Sequence, residues 1–289
     1  MEEKANERVW RSPLAGRWYP GEPEALRRTV AALLPRPAPE RVAGVRAVIV
    51  PHAGYAYSGR VALAAYARLD AGAYDRAVVI GPSHSVALRN RLSALGVDRI
   101  RTPLGDCVVD TAWLQRLRGT PFLVEDPRAH VHEHSDQIQL PLLQQLFGDR
   151  PWRVAPLVCG GFDPSAAAAF GAVLREALDA RTLLVISTDF THYGPAFGYV
   201  PFDDRVPERL RALDHRVFER VAAGDADGFR SVLEETGATV CGAHPLALLI
   251  AAFGGNATIR EVAYDQSGRM TGDWANSVSY LSALATREE

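Results

Sequence analysis

A chain of 289 residues, 47% hydrophobic and 23% charged, has ordinary globular usage and is long enough to bury a sizeable core. Its 32 basic and 34 acidic residues leave a net charge of −2, which gives no electrostatic reason to expect nucleic acid or an anionic membrane as partner. No segment reaches the roughly 20 apolar residues of a membrane span, the opening MEEKANERVW lacks the apolar stretch of a secretory signal, and three cysteines are too few for a disulfide framework, so a cytoplasmic protein is expected.

The segment Pro13–Pro20 is rich in turn formers and aromatics and is expected to lie irregularly over the body. A helix follows over Glu22–Leu34, stopped by Pro35 and Pro37. The β-branched run Val45–Val50, closed by Pro51, suits a buried strand. Ser58–Leu69 reads as a helix with an Ala-rich interior, and Arg76–Ile80 as a second strand ending in Gly81-Pro82. Leu92–Val109, broken by Gly96, Pro103 and Gly105, suggests a hairpin, and helices fit Thr111–Leu117 and Gln137–Phe147. The alternation resumes with strand Arg153–Val158, helix Pro164–Leu178 and strand Thr182–Ser187. Helices fit Pro207–Ala222, Ala226–Glu235 and Pro245–Phe253, the last stopped by Gly254-Gly255. Strands near Thr258–Tyr264 and Ser277–Leu284 close the chain. Strand–helix alternation of this kind predicts one α/β domain over residues 1–289, with a mostly parallel central sheet flanked by helices.

In such sheets ligands bind outside the carboxyl ends of the strands, and polar clusters fall at those ends here. His52 follows the first strand, His84 the second, and Asp189 and His192 follow Thr182–Ser187. Cys241 ends the short apolar piece Thr239-Val240-Cys241 before a helix whose dipole would favour its thiolate. Each His alone is more simply a loop hydrogen-bonder; three at equivalent strand ends point to a shared site. The tract His130-Val131-His132-Glu133-His134 reads as an exposed loop, apart from His134, which opens the next helix near a capping Ser135. Cys107 and Cys159 read as packing residues.

These residues sit in blocks that resemble the Memo family, found in many prokaryotes as a component of a system with a radical-SAM protein. The blocks are Ala15-Gly16-Arg17-Trp18-Tyr19-Pro20, Pro51-His52-Ala53-Gly54-Tyr55, Gly81-Pro82-Ser83-His84, Glu133-His134-Ser135, Ser187 to Gly194, Cys241-Gly242 and Ser277-Val278-Ser279-Tyr280. The resemblance implies a fold like that of class III extradiol dioxygenases, in which two histidines and a carboxylate hold non-haem iron and a further His acts as acid/base. It places the metal ligands at His52, His84 and Cys241 and the acid/base at His192; Asp189, three residues earlier in the same loop, is expected to orient His192, and His134 and Tyr193 to line the cleft on the substrate side. A thiolate in the carboxylate's place departs from the dioxygenase pattern and widens the choice to iron, copper or zinc. Three functions follow as expectations. The first is a metal-dependent redox protein acting on a small molecule or in a service role beside a radical-SAM partner. The second is a metal-free cysteine hydrolase or transferase using Cys241, His192 and Asp189. The third is a non-enzymatic module that binds a peptide.

Overall fold

The computed structural model describes residues 7–287; the charged opening stretch of residues 1–6 lies outside the described residues. The strands are β1 (Val9–Arg11), β2 (Val45–Val50), β3 (Arg76–Pro82), β4 (Leu92–Ala94), β5 (Arg99–Thr102) and β6 (Gly105–Val108) in the first half. They continue with β7 (Leu123–Glu125), β8 (Arg153–Cys159), β9 (Thr182–Ser187), β10 (His192–Tyr193), β11 (Ala257–Gln266) and β12 (Ser277–Arg287). The helices are α1 (Pro23–Leu33), α2 (Tyr55–Tyr66), α3 (Thr111–Arg118), α4 (Arg128–Val131) and α5 (Leu140–Phe147). After them come α6 (Pro164–Ala177), α7 (Val206–Ala222), α8 (Ala226–Thr236), α9 (Ala243–Phe253) and α10 (Ser267–Thr271). Among the described residues no helix is long and apolar enough to cross a membrane.

The main sheet runs β10-β12-β2-β9-β3-β8-β4-β7, with β11 also paired to β12. Its centre, β2-β9-β3-β8, is parallel, and these strands are buried along almost their whole length. That is why they read as continuous apolar runs: a parallel strand covered on both faces has no solvent side. The margins are less uniform than the sequence suggested. β12 joins β2, and β4 joins β8, in antiparallel fashion, so a parallel core carries antiparallel borders. The stretch read as one hairpin divides. β4 enters the main sheet, while β5 and β6 form a hairpin in a separate three-stranded sheet with β1.

The helix signals are local. Asp163 caps α6 by accepting from Ala166 N, with Pro164 in the first turn, and Asp225 caps α8, which ends on left-handed Gly237. Gln137–Phe147 begins as a 3₁₀ turn over Gln137–Gln139 and becomes α-helical at Leu140. The β2-α2-β3 and β8-α6-β9 crossovers travel in opposite directions across the sheet, so right-handed connection puts α2 and α6 on opposite faces. The carboxyl ends of β2, β9 and β3 are neighbours at one rim, and the site forms there.

Candidate metal centre

His52 leaves β2 immediately after Pro51, and His84 leaves β3 two residues after Pro82. His134 arrives from the loop between α4 and the Gln137–Gln139 turn. The ligand atoms of these three imidazoles all lie within 4.8 Å of one another, with His52 buried, His134 half-buried and His84 exposed. Ring centroids are 5.3 Å apart for His52–His84, 5.1 Å for His52–His134 and 4.8 Å for the stacked His84–His134 pair. Trp18 closes the stack against the His134 ring at 3.9 Å.

One carboxylate orients the His84 ring and holds the backbone that carries His134. Glu133 is fully buried; its Oε2 accepts from His84 N at 2.7 Å, and its Oε1 lies 2.9 Å from His84 Nδ1. The same Oε1 accepts from the backbone N–H groups of His134 (2.8 Å) and Ser135 (3.0 Å), and lies 3.4 Å from His134 Nδ1. Burial alone would raise Glu133, but the His84 contacts overcome it and hold the carboxyl down at about 2. Burial likewise opposes protonation of His84, yet the Glu133 partner raises it. With Nδ1–H facing Glu133, Nε2 of His84 is the atom left to bind.

His52 is set by Ser187. The Ser187 hydroxyl donates to the Ser135 carbonyl at 2.5 Å and accepts from Gln139 Nε2 at 2.9 Å. Its one proton is therefore committed, so His52 Nδ1, 3.4 Å away, faces an acceptor, and the Nε2 lone pair turns to the cleft. Burial, reinforced by the charge of His84, pushes His52 down to about 3. Burial and His52 push His134 down to about 3 as well. Both rings are thus neutral at pH 7, the form that ligates metals.

Cys241 stands beside this group. Its Sγ is 3.2 Å from His52 Nε2 and accepts from Asp189 N at 3.3 Å. It does not follow a strand of the main sheet: Val240 bridges Thr191, and Gly242 is the N-cap of α9. A Cβ on Gly242 would strike Thr188 at 2.2 Å, so glycine lets this turn close on the β9 loop. The thiolate expected from the helix dipole is not favoured; burial and the neighbouring Asp189 push the thiol up instead, because withdrawal from water outweighs a dipole end.

The remaining candidates separate. Asp189 is buried and accepts from His52 N at 2.8 Å, so it braces the His52 loop rather than the His192 ring. The carbonyl of Thr239 takes His192 Nδ1 at 3.1 Å, which leaves His192 Nε2 open. Tyr193 stacks on Phe202 and donates its hydroxyl to the Phe202 carbonyl at 2.5 Å, so its polar end is engaged away from the imidazoles. The His130–His134 tract is not an exposed loop: His130 and Glu133 are wholly buried, while His132 is exposed. Glu133, Ser187 and Trp18 are the residues that reasoning from single positions missed, although each lies inside a block that carried the family resemblance.

A family model described as Memo-like protein matches residues 11–284. The chain belongs to the Memo family. Among its relatives, the protein memo-1 homolog of Caenorhabditis elegans is 32% identical over 93% of this chain and 80% of its own length. MEMO1 family proteins of Methanopyrus kandleri (32%) and Aquifex aeolicus (30%) each align over 96% of this chain and 99% of their own. A solved structure of an uncharacterized Escherichia coli K12 protein aligns with a TM-score of 0.52 over 83% of this chain and 99% of that one. At 13% identity it speaks for the α/β fold alone.

Proposed function

We propose that this Memo chain binds one transition-metal ion, iron foremost with copper or zinc as alternatives, and uses it in redox chemistry on a small molecule. The observation that carries the reading is the group His52, His84 and His134, three imidazoles with ligand atoms within 4.8 Å of one another. Nitrogen ligands about 2.1 Å from one ion sit some 3–4 Å apart, so donors gathered within 4.8 Å need draw in by only about 1–2 Å to share an ion. Cys241 Sγ, 3.2 Å from the ligating nitrogen of His52, is the further donor; it joins by losing its proton. Imidazole with thiolate suits iron, copper and zinc rather than magnesium or calcium. A bound ion would supply Lewis acidity and, for iron or copper, electron exchange.

The protein's own residues supply the rest. Glu133 fixes the His84 ring, and Ser187 fixes His52. His192, with Nδ1–H held on the Thr239 carbonyl, offers Nε2 as a proton acceptor. Trp18 and His192 border the approach of a substrate.

The cysteine-hydrolase reading gives Cys241 the base His192, but the imidazole beside the thiol is that of His52, 3.2 Å away. Its ion pair would need a thiolate beside an imidazolium, yet burial disfavours both charged forms. The metal reading is therefore preferred. Its test is metal analysis of protein purified anaerobically without a metal-binding tag, followed by redox titration of the loaded protein. About one iron or copper per chain with a reversible redox signal supports it; a metal-free protein that takes up none of the three ions refutes it. The role of His192 has its own test: His192→Ala should keep the metal and lose about 100-fold or more of turnover.

A further inference from the structure

The sheet's opposite end carries a second candidate site. Two concavities, of ≈ 600 Å³ and ≈ 1010 Å³, open there, and Arg46 and Arg287 line both. Arg175 adds a guanidinium to the smaller, and Arg68 and Arg260 add two to the larger. Arg46 is the second residue of β2, six residues before His52, so at about 3.3 Å per strand residue the two ends are about 20 Å apart.

Among the described residues, none of the five arginines has a carboxylate partner within ion-pair distance; the acidic lining residue is Glu261, which is engaged by His215 Nε2 at 2.8 Å. In a chain of net charge −2, that is a local excess of positive charge. Arg46 also has an enclosed Nε–H without any acceptor, although its Nη2 donates to the carbonyls of Leu178 and Asp179. A buried charged donor left without an acceptor is costly, and with Nε–H unpaired the Arg46 guanidinium charge stands uncompensated beside both concavities. The smaller concavity has an apolar wall of Leu178 and Phe253, and its volume lies in the range of small-molecule sites.

We infer that this arginine-lined cleft binds a small molecule carrying more than one phosphate on a planar or apolar body. Among the described residues, five guanidiniums against one engaged carboxylate call for a multiply charged partner; a monocarboxylate would neutralise a fifth of them. Arg175 spends Nε and Nη2 on the Ala252 and Ala251 carbonyls, and Arg68 its Nη1 on the Ala64 carbonyl, so the forks left to match phosphate oxygens two at a time are those of Arg260 and Arg287.

The test is calorimetric titration of the full chain with ADP and with pyrophosphate, at low salt and again with added sulfate. Arg260→Ser/Arg287→Ser is the main variant, because both side chains are exposed and the protein should fold; Arg46→Met is the second, with its melting temperature checked. ADP should bind more tightly than pyrophosphate, and the double variant should weaken both by at least about tenfold, as expected for lost hydrogen bonds to a charged group. His52→Ala should leave the affinity unchanged. Absence of binding, ADP no tighter than pyrophosphate, displacement by equimolar sulfate, or a double variant that binds normally would each overturn the inference.

Discussion

Glu133→Gln isolates the link between buried electrostatics and metal binding. The side chain keeps its shape but loses its charge, and one of its two acceptors becomes an NH₂ donor. Because Oε1 serves His84 Nδ1 and the N–H groups of His134 and Ser135, while Oε2 serves His84 N alone, the amide oxygen should take the Oε1 position. The NH₂ then faces the His84 N–H, donor against donor. That conflict costs about 1–3 kcal/mol, and the three surviving bonds drop from charge-assisted to neutral strength. Relief from burying a carboxylate offsets part of the loss, leaving roughly 2–3 kcal/mol. At about 2–4 °C per kcal/mol for a chain of this size, the melting temperature should fall by roughly 4–12 °C. With the His84 ring no longer pinned, metal affinity should drop about 10- to 100-fold, the usual effect of losing a residue that orients a ligand. Chelator competition with zinc or cobalt at pH 7, run beside thermal melts, measures both. A variant whose affinity stays within about threefold of the native value would refute the role given to Glu133.

Gly81→Ala should act on the same loop through sterics: a Cβ there would meet Ser135 Oγ at 2.5 Å and the Ser135 backbone at 2.7 Å, so metal content and melting temperature should both fall, by about 1–3 kcal/mol in stability. The metal-free protein should lose stability as pH drops from about 6.5 toward 3. His52 and His134, held near 3 in the folded state, take up protons earlier when unfolded, each contributing on the order of a few kcal/mol; His84, raised in the fold, opposes them in part. Melts of native and His52→Gln protein across that window should show a shallower slope for the variant. Cys241, whose thiol burial holds protonated, should alkylate slowly in the metal-free protein and more slowly still when metal is bound; rapid alkylation of the metal-free chain would favour a nucleophilic thiol.

Much of this site is legible in the chain because strand ends carry their own punctuation. Pro51 stops the run that precedes His52, Gly81-Pro82 are the last two residues of the strand that leads to His84, and parallel pairing brings both strand ends to one rim. Glu133 was not legible in the same way. A carboxylate between histidines in sequence looks solvated, and its burial depends on a partner, His84, that arrives 49 residues earlier in the chain. Asp189 misled for a related reason: proximity in sequence suggested His192, while the fold delivers the backbone N–H of His52. The protonation of Cys241 depends on burial, which no motif displays. The antiparallel borders escaped because β4 and β12 pair across long connections that local alternation does not encode.

The most direct test of the central claim is the metal content of native, His52→Ala, His84→Ala and His134→Ala proteins after dialysis against chelator and reloading with one equivalent of cobalt. The three-imidazole site predicts about one ion per native chain, severe loss in each variant, and a sulfur-to-metal charge-transfer band in the native protein that disappears in Cys241→Ser. Retention of a full equivalent of cobalt by the His84→Ala and His134→Ala proteins would contradict it.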